Sequence, residues 1–192
     1  MRKLTLLMVV LVSVFFTACG GTDDDFYNND SESSAKVYDM WKYMTPNNSY
    51  DIEYDKYENG KKIDYFFEVT IVFENGVVER TSGDDRTTLT LNQNSIKIEE
   101  PDGNVVQVQR YVKIGDTNVF KSATIKSCIA DDFLRSITIH GSEFYNVIKV
   151  TCRTEGSSSE LYYAYEEGIV SVYRDDGKVK TEIVKVDERR LQ

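Results

Sequence analysis

The sequence predicts a mainly β domain: an antiparallel curved sheet or half-barrel of about ten strands with one or two short helices. Three observations predict it. From Tyr50 onward, apolar and polar residues alternate with a period of two, the repeat of strands with one buried face. Asn-Gly and Gly-Asp pairs interrupt that alternation at short intervals, and such residues tolerate the positive φ of tight hairpins. Strands do not alternate with long helical segments, so no parallel βαβ unit is expected, and no repeat of fixed period is present.

Taken in order, the chain begins with Arg2 and Lys3, then a run from Leu4 to Phe16 that is apolar apart from Thr5 and Ser13, then Thr17, Ala18 and Cys19. A basic start, a short apolar run and small residues before a cut site describe a secretory leader. The run is shorter than the roughly 20 residues that span a bilayer. Phe16-Thr17-Ala18-Cys19 resembles the lipobox of bacterial lipoproteins, with Phe16 where leucine is usual. The resemblance implies a signal peptide over residues 1–18 and a lipid anchor on Cys19. The residues alone also allow a plain cleaved leader with Cys19 as an incidental thiol, or an uncleaved anchor. Gly20 after the cysteine is not the aspartate that retains enteric lipoproteins in the inner membrane. The expected location is therefore the cell envelope, on the outer membrane where the cell has one.

Residues 19–34 contain Asp23, Asp24, Asp25, Asp30 and Glu32 among Asn, Ser and Gly, so they read as an acidic, disordered tether. A single β-rich domain is expected over residues 35–192. Ala35–Met44 is the clear helical candidate. Val37, Met40, Trp41 and Met44 fall at i, i+3, i+4 and i+7, with Ser33 or Ser34 as cap and Pro46 beyond the end. That helix should plug one end of the core.

The strongest strand follows. Ile63, Tyr65, Phe67, Val69, Ile71 and Phe73 share one face, and Asp64, Glu68, Thr70 and Glu74 dominate the other, with Phe66 and Val72 as exceptions. The apolar set is expected on the concave side of the sheet, as a ligand-facing strand. Asn59-Gly60 and Asn75-Gly76 bound it, and further turns are expected at Gly83, Asn92, Pro101 and Gly115. Ala130–Leu134 is expected to form a short helical turn. Within Tyr162–Val172, a Tyr-Tyr-Ala strand leading to Gly168 and a Val-rich strand resembles a hairpin common in uncharacterised bacterial lipoproteins. That resemblance implies a curved β-domain and brings no catalytic residues.

Removing Arg2 and Lys3 from 23 basic residues leaves 21 against 32 acidic ones, a mature net charge of −11. Nucleic acid, which selects basic surfaces, is excluded as a partner. Cys128 and Cys152 are the candidate disulfide of an oxidising compartment, the other reading being two separate buried thiols. His140 is the one histidine; it precedes Gly141 and is expected at a surface turn. No elbow, CxxC or HExxH motif accompanies it, so no metal, cofactor or catalytic residue is expected and the chain is not expected to be an enzyme. Tyrosine is abundant, and Leu161, Tyr163 and Tyr165 are expected to share one face in cross-strand packing.

The overall outline is similar to the lipoprotein carriers and acceptors LolA and LolB, half-barrels with a helix against a concave apolar face. The expected partners are the membrane, through lipid on Cys19, and a lipid or an envelope protein. The leading expectation is a tethered β-domain that binds an apolar ligand or an envelope partner without catalysis. The alternatives are a structural accessory subunit of an envelope complex and, third, a surface glycan hydrolase.

Overall fold

The computed structural model describes residues 36–191. Cys19, the leader and the tether lie outside the described residues. In chain order the elements are β1 (Tyr38–Asp39), α1 (Met40–Met44), β2 (Tyr50–Glu58), β3 (Lys61–Phe73), β4 (Val77–Ser82), β5 (Asp85–Leu91), β6 (Ser95–Glu99) and β7 (Val105–Gln109). Then follow β8 (Tyr111–Val112), β9 (Phe120–Lys121), β10 (Ser127–Ile139), β11 (Ser142–Arg153), β12 (Ser158–Ala164), β13 (Gly168–Asp175) and β14 (Lys180–Arg190).

Twelve strands form one antiparallel sheet in the order β10-β11-β12-β13-β14-β2-β3-β4-β5-β6-β7-β9. Its two end strands approach each other. Val119 N–H donates to Cys128 O at 3.2 Å, and Thr117 bridges Ile129, so the sheet is a nearly closed barrel. Closure leaves few unpaired edges, which suits a sheet whose chain runs in short hairpins. The small β1-β8 ladder stands apart from it.

Side chains fill the interior. Leu89, Ile96, Ile98, Val106, Ile148, Leu161 and Tyr163 are fully buried there with Met40 and Met44 of the plug. The plug is shorter than its spacing predicts. Only Met40–Met44 is helical, Tyr38 and Asp39 are extended, and Val37 is exposed. Asp39 caps the helix by accepting from Trp41 N–H at 3.1 Å, and the same carboxylate holds Arg110 through two nitrogens. Pairing of Tyr38 with Val112 competes successfully with a helical turn that would be marginal alone.

Ala130–Leu134 is not helical either. These residues lie in β10, where Ala130, Phe133 and Leu134 pair with Val150, Ile148 and Val147. The partner strand overrides a weak local preference.

β3 has the opposite sidedness to the one expected. Phe66 pairs with Tyr54, Glu68 with Ile52 and Val72 with Val78, and those three partners are buried core residues. Phe66, Glu68, Thr70 and Val72 of β3 therefore point inward. Ile63, Tyr65, Phe67, Val69, Ile71 and Phe73 point outward, with exposures between 36% (Val69) and 57% (Tyr65). Because the side-chain period is two, register moves the whole set together.

A second apolar cluster lies on the outer side of β11 to β14. Val147 and Ile148 are consecutive and both fully buried, so β11 is covered on both faces there. The distal part of the β10–β11 hairpin contributes Leu134, Ile137, Ile139 and Phe144, which pack with Val147, Ala164, Val170 and Val184.

Candidate functional site

The exposed row on β3 is flanked by acids. Register places Asp55 beside Tyr65, Glu53 beside Phe67 and Asp51 beside Val69, all on the outer face of β2. One strand further, Asp187 lies beside Glu53 and Arg189 beside Asp51. Phe67, Asp51, Glu53, Asp187, Glu188 and Arg189 line an open depression of about 470 Å³. Arg189 binds Asp51 at 2.8 Å, and Lys62 reaches Asp55 at 2.5 Å. Glu53 and Asp187 have no salt-bridge partner among the described residues. On the other flank, β4 places Thr81, Glu79 and Val77 beside Val69, Ile71 and Phe73, and Glu79 is paired with Arg86. The result is an apolar ridge with an acidic border on its β2 side.

Such a face can bind. The one histidine lies elsewhere. His140, at φ 47°, is stacked on Tyr57 with ring centres 3.8 Å apart, and its Nε2 is 2.6 Å from Glu182 Oε2. It sits at the expected surface turn and is exposed, with its ring packed on Tyr57. Burial pushes the Glu182 carboxyl above its ordinary value, and the contact with His140 opposes that. Ser171 Oγ donates to Glu182 Oε1 at 3.4 Å.

The barrel interior holds its own polar group. Glu68 and Arg80 are both buried, with Arg80 Nε 3.9 Å from Glu68 Oε1. Thr70 donates to Glu68 at 3.2 Å, and Arg80 Nη2 donates to Met44 O at the end of α1. Arg80 thereby ties the plug to the wall. Gly168 packs at this junction at φ 84°, where a Cβ would meet Met44 O at 3.6 Å.

Cys128 and Cys152 are cross-strand partners in β10 and β11, joined by a disulfide with Cα atoms 4.1 Å apart. The bond lies beside the seam at which the barrel nearly closes. Leu161 and Tyr163 are buried inward as neighbours on one face of β12, while Tyr165 lies beyond the strand and is half-exposed. Lys42 donates to its hydroxyl at 2.9 Å. The sequence singled out the ridge residues and missed the acids beside them. The alternation Asp51, Glu53, Asp55 was visible, but only register shows that it borders Phe67.

No protein-family model and no curated protein matches the chain. Among solved structures, it is similar to the crystal structure of a Bacteroides fragilis protein whose export is inferred and whose fold is described as YmcC-like. The identity is 14%, the match covers 77% of this chain and 99% of that chain, and the TM-score is 0.44.

Proposed function

We propose that this chain is an exported lipoprotein, anchored to the cell envelope through Cys19, whose β-domain docks an envelope protein without catalysis. The outer membrane is its location where the cell has one. The observation that carries the docking reading is the row Ile63, Tyr65, Phe67, Val69, Ile71 and Phe73, six large apolar side chains exposed along one strand. Contiguous exposed apolar surface of that kind marks interaction sites in soluble domains. The leader and Cys19 support the anchor, and the Cys128–Cys152 bond suits an oxidising compartment. A ligand held inside the barrel is disfavoured, because the interior is occupied by side chains such as Leu89, Ile98 and Tyr163.

The two halves of the reading are tested separately. Mass spectrometry of the native N-terminal peptide should find acylated Cys19, and Cys19→Ala should release the domain from membranes. An unacylated peptide contradicts the anchor. The detergent-extracted full chain should migrate in an assembly larger than itself, and Phe67→Ser with Ile71→Ser should return it to a monomer. A wild-type chain that migrates alone contradicts the docking.

A further inference from the structure

The geometry points to a partner segment that lays apolar side chains along β3 and sets a lysine or arginine against Phe67, between Glu53 and Asp187. This rests on the docking reading above and adds the partner's chemistry. The ridge supplies the apolar half of the match, since its six side chains remain exposed among the described residues. The basic half comes from charge. Glu53 stands beside Phe67 and Asp187 stands beside Glu53, so two carboxylates are direct cross-strand neighbours. Like charges in that position destabilise a sheet.

The acids on either side are already neutralised within the chain, Asp51 by Arg189 at 2.8 Å and Asp55 by Lys62 at 2.5 Å. Asp187 Oδ1 accepts from Glu188 N–H at 2.8 Å and Lys62 feels the charge of Glu53, but neither carboxylate has a salt bridge of its own among the described residues, so both can take a cation from outside. Phe67 adds a ring face, which attracts ammonium and guanidinium groups. The depression of about 470 Å³ opens where these groups meet. A long basic side chain fits it well, because its stem can lie on the ridge while its charge reaches the carboxylates. An anionic membrane surface matches the apolar row but is repelled by the acids. A second copy of the chain brings the same excess of acid, at a mature net charge of −11 from 21 basic and 32 acidic residues.

The test uses the full-length chain in its own cells, with Tyr65→p-benzoylphenylalanine as photo-crosslinker and Phe67 left in place. The expected adduct is a protein segment that combines apolar residues with Lys or Arg, located by mass spectrometry. Glu53→Gln with Asp187→Asn should lower its yield about tenfold, as loss of complementary charge does, with the disulfide and tryptophan fluorescence unchanged. An adduct with a segment that lacks Lys and Arg, or a yield unchanged by the double variant, overturns this inference and leaves the docking reading standing. An adduct with phospholipid or with a second copy of the chain, or no adduct, overturns both.

Discussion

His140 Nε2, at the tip of the β10–β11 hairpin, lies 2.6 Å from Glu182 Oε2 on β14, and the imidazole is stacked on Tyr57 of β2. The three residues come from three separate elements. They close the outer end of the cluster formed by Ile139, Phe144, Val147, Val170 and Val184.

Removing the imidazole leaves a mostly buried carboxylate without that hydrogen bond. His140→Ala should destabilise the protein by about 1–2 kcal/mol, from a lost charge-assisted contact and a lost ring stack. Amide exchange should speed up over residues 139–144 and remain slow in β5 to β7. Uniform acceleration across the barrel would contradict a local role.

The sidedness of β3 is directly measurable. Phe67→Ser removes an exposed ring and should change stability by no more than about 1 kcal/mol. Leu161→Ala empties a fully buried position and should destabilise by about 2–5 kcal/mol. Denaturant titration of both variants checks the pair. The reverse ranking would mean that the odd-numbered face of β3 is the inner one.

The Cys128–Cys152 bond closes a loop with a sequence separation of 24 residues. In the chain-entropy view it restricts the unfolded chain and contributes about 3 kcal/mol. Denaturant titration with and without reductant should show that loss. A midpoint unchanged by reduction would contradict it.

Burial raises the Glu68 carboxyl above 4.5, with Arg80 and Thr70 opposing. The folded protein therefore holds this proton more tightly than the unfolded chain does. The group favours the fold at acid pH, and that contribution is lost as pH rises from the ordinary carboxylate range through the raised value. Glu68→Gln removes the titration. Plotted against pH, wild-type stability should fall relative to the variant across that window, and parallel curves would contradict the assignment.

Much of the fold was legible in the alternation. The alternation from Tyr50 onward is strand, beginning with β2 at Tyr50–Glu58, and Asn59-Gly60 and Asn75-Gly76 do turn the chain at positive φ or at a glycine in that region. The misses were short or context-dependent. α1 is five residues because β1 takes the residues before it, and Ala130–Leu134 is strand because β11 pairs with it. The ridge residues were identified as a set, but their acidic neighbours come from β2 and from β14, which is far away in the chain.

The chain's own order of residues determined the strand class and which side chains of β3 travel together. Both are local, set by composition and by a period of two. Tertiary structure alone decided which of the two β3 faces points inward. Alternation makes the faces distinct without giving a direction; the ladders with Ile52, Tyr54 and Val78, whose side chains are buried in the barrel, supply the direction.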